Sequence, residues 1–304
     1  GLAYAGLGQV DQGIQCYTQA LAIYRETGNR RGEGAALGNQ GLAYSYLGRV
    51  EKAIECFQQS LLIARETGDR RSEGANLGNL GYAYSDLGQV EKAIDHIQQA
   101  LDIDREIGNR YGEGVDLGIL GTTYHYLGQV EQAIQHYQQA LEIDREGGDR
   151  RNEGIWLGDL GTAYRDLGQV EKAIDHYQQA LTIARQTGDV RGEGAALGNL
   201  GTAYSDLGEV EKAIEYNQKA LTIAREISDR RGEGNRLGNL ALLFEQQGEL
   251  ARAVPLAQAS LAIRLEIKMP DKEIQKMKDL LTRLRQNLGD DAFEAALASP
   301  PPTT

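Results

Sequence analysis

Apolar and polar positions recur along this chain on two superposed periods. Over residues 50–63, Val50, Ala53, Ile54, Phe57, Leu61 and Ile63 follow helical spacing, with polar residues on the other face. Leu37, Tyr44 and Leu47 mark a second amphipathic stretch, and Leu77, Leu80, Tyr84 and Leu87 mark its counterpart further on. The longer period is 40 residues. The block GLAYSYLGRVEKAIECFQQSLLIARETGDRRSEGANLGNL (41–80) recurs at 81–120, 121–160, 161–200 and 201–240 without insertion or deletion. Residues 1–40 fit the same frame, and residues 241–268 fit it with drift.

Each block predicts two helices. In one such pair helix A spans about 70–87 and helix B about 90–107. Leu87-Gly88 separates them, glycine being a natural helix stop. Gly68 closes the preceding repeat, and Asp69 is placed to accept the free N–H groups of the next helix A. Asn29, Asn109, Asp149, Asp189 and Asp229 recur at the equivalent place. Small residues form columns where helices must touch: Gly41, Gly81, Gly121, Gly161 and Gly201 in helix A, and Ala53, Ala93, Ala133, Ala173 and Ala213 in helix B. A helix-interior glycine costs about 1 kcal/mol against alanine, which is tolerable where it permits closer packing. Two helices cannot bury their apolar faces alone, so the repeats must stack.

The end of the array is legible too. Pro255 enters the last helix B and Met269-Pro270 stops it. A helix over about 271–287 carries Ile274, Met277, Leu280, Leu281 and Leu284, as a cap for the last apolar face should. A short helix follows at about 290–298. The expected organisation is an array over 1–268 (about seven repeats, the first truncated), capping helices over 269–298 and a disordered tail over 299–304.

Composition narrows the function. The 38 glycines sit on the repeat register, so they are structural rather than a sign of disorder. A net charge of −12 argues against nucleic acid and against an anionic membrane surface. No run of about 18 apolar residues is present, and no signal peptide is visible. The chain opens in mid-repeat, so further sequence is expected before residue 1. Cys16 and Cys56 lie one repeat apart, a helix-packing distance of ~10 Å that exceeds the ~7 Å a disulfide spans. They read as free packed thiols in a reducing cytoplasm.

Several columns imitate chemistry. Cys16, Cys56, His96, His136, His176 and Tyr216 resemble ligands, but each comes from a different repeat, too far apart for one zinc. Glu33, Glu73, Glu113, Glu153, Glu193 and Glu233 recur six times, where an enzyme needs one site. They are expected to stabilise helix A starts and to pair with Arg30, Arg70, Arg110 or Arg150. Arg25, Arg65, Arg105, Arg145, Arg185 and Arg225 read as structural in the same way. Leu-Gly-x-Leu-Gly lies inside a helix and is no phosphate loop. No nucleophile–base pair is legible, so no enzyme, cofactor or metal is expected.

The order Leu80-Gly81, Tyr84, Ala93, an aromatic (Phe57, Tyr137, Tyr177) and Ala100 resembles the tetratricopeptide repeat, whose usual period is about 34. The longer form, with Gly-Asp-Arg-Arg-x-Glu-Gly between repeats and Leu-Gly-Asn-Leu-Gly in helix A, is similar to the repeats of the Leu-Gly-Asn spindle-orientation adaptors, of kinesin light chains, and of arrays attached to bacterial signalling ATPases and caspase-like proteases. The resemblance covers 1–268. It implies an all-α fold, an α-solenoid of helix–turn–helix repeats wound as a right-handed superhelix, with helix A lining a concave groove that binds a protein or peptide segment.

On that resemblance four columns face the groove. Ala35, Ala75, Val115, Ile155, Ala195 and Asn235 form one, and Gly38, Gly78, Gly118, Gly158, Gly198 and Gly238 another, beside Asn39, Asn79, Ile119, Asp159, Asn199 and Asn239. Leu42, Tyr82, Thr122, Thr162, Thr202 and Leu242 form the third. Ser45, Ser85, His125, Arg165, Ser205 and Glu245 form the fourth, with Tyr46 and Tyr126 adjacent. The resemblance gives Asn39, Asn79, Asn199 and Asn239 the role of holding a peptide backbone, which an amide does by donating and accepting at once. The central repeats depart from their own consensus at Ile119, Asp159, Val115, Ile155, Trp156, His125, Tyr126 and Arg165. Trp, Tyr and Arg are the usual interface anchors, so a central pocket is expected there. Two alternatives stand beside peptide scaffolding: a sensor or regulatory arm of a larger signalling protein, and self-association through an apolar N-terminal face at Leu2, Ala3 and Tyr4.

Overall fold

The alternation of two helix types, most of them followed by a glycine turn, runs through the described residues from 10 to 266. The computed structural model describes residues 10–298, and Leu2, Ala3, Tyr4 and the tail 299–304 lie outside the described residues. Fifteen helices are described, and no strand among the described residues. The A helices are α2 (Arg30–Tyr46), α4 (Arg70–Asp86), α6 (Arg110–Tyr126), α8 (Arg150–Asp166), α10 (Val190–Asp206) and α12 (Arg230–Gln246). The B helices are α1 (Val10–Glu26), α3 (Val50–Thr67), α5 (Val90–Glu106), α7 (Val130–Gly147), α9 (Val170–Thr187), α11 (Val210–Glu226) and α13 (Leu250–Glu266). Two further helices, α14 (Asp271–Leu288) and α15 (Asp290–Leu297), follow. The architecture is an α-solenoid of helix hairpins at a spacing of 40 residues. Contacts divide it into two compact units, meeting at Asn152/Glu153.

Within each unit the same local chemistry repeats. The Asn29 side chain accepts from the Gly32 N–H at 2.9 Å, Asp69 from Ser72 at 3.1 Å, Asp189 from Gly192 at 3.0 Å and Asp229 from Gly232 at 2.9 Å. Each satisfies one orphan donor of a helix A start. The glutamates of the first turn knit consecutive repeats. Glu33 accepts from Arg25 at 2.8 Å and from Arg30 at 2.6 Å, and Arg30 also reaches Glu66 of the following helix B. Arg65, Glu73, Arg70 and Glu106 repeat the ladder, as do Arg105, Glu113, Arg110 and Glu146. In the second unit Val190 breaks it, leaving Arg185–Glu193, whereas Arg225, Glu233, Arg230 and Glu266 restore it.

The glycine column of helix A exists because helix B leans on it. A Cβ at Gly41 would lie 2.6 Å from the Phe57 ring, at Gly121 2.7 Å from Tyr137, and at Gly161 2.5 Å from Tyr177. Those rings are almost wholly buried. The turns between helices take left-handed backbone at glycine, as at Gly48 and Gly68, but Ser228 and Lys268 adopt it without one, at φ 56° and 52°. In the second unit two helices pack on the last hairpin. Met277, Leu280 and Leu284 of α14 and Phe293 of α15 close a core with Leu237, Leu240 and Phe244 of α12 and Leu256 of α13. Arg264, itself buried, ties α13 to the cap through Glu273 at 2.7 Å.

Candidate functional site

Helix A packs through two glycine columns, and its outward face is what a ligand can meet. The first, the Gly41 column, packs on helix B. The second, the Gly38 column, which the sequence placed in the groove, packs on the next helix A. A Cβ at Gly78 would lie 2.4 Å from the Asp116 carboxylate of α6, and one at Gly198 would lie 2.3 Å from the Arg236 guanidinium of α12. Gly78, Gly118, Gly198 and Gly238 are buried accordingly. Of the residues two positions before this column, Asn76 meets Gly38, Asp116 meets Gly78 and Arg236 meets Gly198. Trp156 holds the equivalent position in α8 and is only 7% exposed. Its neighbour Ile155 is exposed.

The outward face carries the remaining columns. In the first unit Asn39 and Asn79 are half-buried, and neither amide has a hydrogen-bond partner among the described residues. Beside them Leu42 and Tyr82 are each 50% exposed, Tyr46 72% and Tyr126 75%. Burial chiefly, then the charges of Asp86 and Tyr126, pushes the Tyr82 phenol up. Thr122 donates to the Gly118 carbonyl at 3.2 Å and meets the Tyr137 hydroxyl at 3.2 Å. His125 lies half-buried in the last turn of α6.

In the second unit Asn199 repeats the free half-buried amide, but Asn239 donates to Asn217 at 3.3 Å. Asp159, in the asparagine column, has its carboxyl pushed up to about 7 by burial. Arg165 reaches Asp166 at 3.4 Å and Asp206 at 3.7 Å, so it bridges repeats. Asn217 stands where Tyr137 and Tyr177 stand in earlier repeats. A cavity of about 90 Å³ opens above it, lined by Thr202, Ser205, Asn239, Leu242 and Gln246 among others. Sequence reasoning missed that cavity, although the loss of the aromatic at Asn217 was its visible sign.

The columns that imitate chemistry resolve into packing. His136 stacks on Tyr124 with centroids 5.2 Å apart, His176 on Tyr164 at 5.2 Å, and Tyr216 on Tyr204 at 5.3 Å. Burial pushes the His136 imidazole down. Cys16 and Cys56 are free thiols, and burial pushes Cys56 up to about 11. Among the described residues no three His, Cys, Asp or Glu side chains converge as metal ligands, and no helix is long and apolar enough to cross a membrane.

The family model of the tetratricopeptide repeat matches residues 1–66, 35–106, 113–186 and 192–266. A search of curated proteins returned no match. Among solved structures, the apo form of RapI is similar with a TM-score of 0.70 at 18% identity, over 88% of this chain and 96% of that one. A signal-transduction ATPase with numerous domains and a tetratricopeptide-repeat sensor, from Pyrococcus horikoshii, has a TM-score of 0.67 at 19% identity. That match covers 95% of this chain and 49% of the ATPase, so this chain spans about half its length. BtubC from P. vanneervenii has a TM-score of 0.63 at 20% identity, over 72% of this chain and 92% of that one. These likenesses establish the fold.

Proposed function

The chain belongs to the tetratricopeptide-repeat family, and from that premise we propose that it is a non-catalytic scaffold holding an extended peptide segment across its A helices. The observation that carries the reading is the outward row of the first unit. There the free amides of Asn39 and Asn79 stand beside exposed Leu42, Tyr46, Tyr82 and Tyr126. A free side-chain amide can satisfy a peptide N–H and C=O together. Exposed tyrosine supplies large contact area at low entropic cost, which makes it a frequent anchor. Asn199 offers the same amide in the second unit. Asn239, already bonded to Asn217, is a weaker candidate. Thr122 and His125 belong with the row of the first unit and Asp159 and Arg165 with that of the second, whereas Trp156 is buried and a weaker candidate.

A displayed library of random peptides, selected on the full chain, tests this. The enriched motif is expected to bind about tenfold or more weakly to a folded Asn39→Ala/Asn79→Ala variant, and likewise to Tyr82→Ala/Tyr126→Ala, as truncation of an interface anchor does. Binding indifferent to both variants, or no enrichment at all, discards the reading.

A further inference from the structure

The arginines that open each helix A have two fates. Arg30, Arg70, Arg110 and Arg230 are taken up by the glutamate ladders. Arg191 and Arg231, one residue further along, are not: neither is ion-paired or hydrogen-bonded among the described residues. Both line a cavity of about 210 Å³ between α10, α11 and α12, whose apolar floor includes Ile223 and Ile227. Arg236 enters the same cavity and is likewise without a hydrogen-bonded or ion-paired partner among the described residues. Its guanidinium lies against Gly198, where any side chain would exclude it. Burial pushes this guanidinium down, opposed only by the charge of Asp229.

Packing does not ask for a cation here. Ala36, Asn76, Asp116, Trp156 and Ala196 hold the equivalent position in the other repeats. The equivalent cleft in the first unit has the opposite sign, with Asp116 in the place of Arg236 and Asp104 in the place of Ala224. A half-buried guanidinium that makes no ion pair, with Asp229 as the one carboxylate lining its cavity, is costly, and it persists most readily where a ligand supplies the anion. Three guanidinium groups and the one carboxylate of Asp229 leave the cavity with two net positive charges. A phosphate monoester dianion matches that charge, and its oxygens match the guanidinium forks. The chain as a whole carries −12 and repels anions at long range, so the attraction must come from this local set.

We propose that the cleft between α10, α11 and α12 binds a phosphoryl dianion through Arg191, Arg231 and Arg236. The proposal stands independently of the peptide row.

The test is calorimetry and thermal melting of the full chain at fixed ionic strength, with inorganic phosphate and with a phosphoserine peptide and its unphosphorylated twin. Phosphate is expected to bind and to raise the melting temperature as its concentration rises. Arg236→Gln is expected to weaken binding by about tenfold or more. Gly198→Ala, which keeps every charge but displaces the guanidinium, is expected to weaken it as well. Asn39→Ala/Asn79→Ala should leave it unchanged. A phosphopeptide that binds about tenfold tighter than both phosphate and its twin identifies a phosphorylated partner as the source; equal binding of phosphate and phosphopeptide identifies a small anion. No binding of either, or binding undiminished in folded Arg236→Gln, overturns the proposal.

Discussion

Gly121 and Gly158 look alike in the sequence, both inside a helix A and both between a leucine and a polar residue. Their surroundings differ completely. A Cβ at Gly121 would meet the Tyr137 ring at 2.7 Å and the Ala133 carbonyl at 3.2 Å, and neither the fully buried ring nor the backbone has room to withdraw. At Gly158 nothing lies within 4 Å. Gly121→Ala is therefore expected to lose about 1–3 kcal/mol through overpacking. Gly158→Ala should gain about 1 kcal/mol from helix propensity. Urea denaturation of the two variants checks both signs, and a loss at Gly158 would show that its neighbours press closer than the structure has them.

At the scale of the element, α6 carries the most pH-sensitive contact. Asp116 is buried, and its carboxyl is pushed up to about 8 by that burial, with Asp104 of α5 adding to it. Facing it are Gly78 of α4 and Asp104, which itself feels Glu113 and Arg71 and accepts from Asn109 at 3.0 Å. A carboxyl whose folded pKa exceeds its unfolded one holds its proton longer in the folded state. Stability then falls as pH rises from about 4 to about 8 and is level beyond. Asp116→Asn should thus match the parent near pH 4 and melt increasingly above it up to pH 8; a constant difference in melting temperature across that range excludes the mechanism. The helices, their Asn and Asp caps and the pairs of Glu33, Glu73 and Glu113 with Arg30, Arg70 and Arg110 were legible in the sequence, because each depends on residues a few positions apart in one repeat frame. The contact between successive A helices was not. Periodicity says that Gly78 and Asp116 share a frame, but not that they touch. The Gly38 column and Trp156 were accordingly assigned to an open groove, and the opposed charges of Asp116 and Arg236 had no visible meaning. Asn39, Asn79, Tyr82 and Tyr126 kept an outward place because the turn of helix A sets them away from both packing columns.

For the molecule as a whole, a stack of repeats survives only if its ends are covered, since each apolar face finds its partner in the next element. At the C-terminal end that partner is α14 with α15. Met277, Leu280 and Leu284 are at most 1% exposed, and they shield Leu237, Leu240 and Phe244 from water. Burying a side chain of this kind contributes about 1.5–3 kcal/mol, a large part of a typical total of about 5–15 kcal/mol. Arg264 is held in the same interface by Glu273 at 2.7 Å, Ser260 at 3.0 Å and Asn235 at 3.4 Å, and burial without Glu273 would leave its charge uncompensated. A chain ended after Lys268 should therefore unfold at lower urea than the parent. It should also associate as its concentration rises, because a bare apolar end seeks another surface. Light scattering and the urea midpoint read these outcomes separately. A monodisperse truncated chain with the parent's midpoint would mean that α12 and α13 close the array by themselves, and that α14 and α15 are a surface for something else.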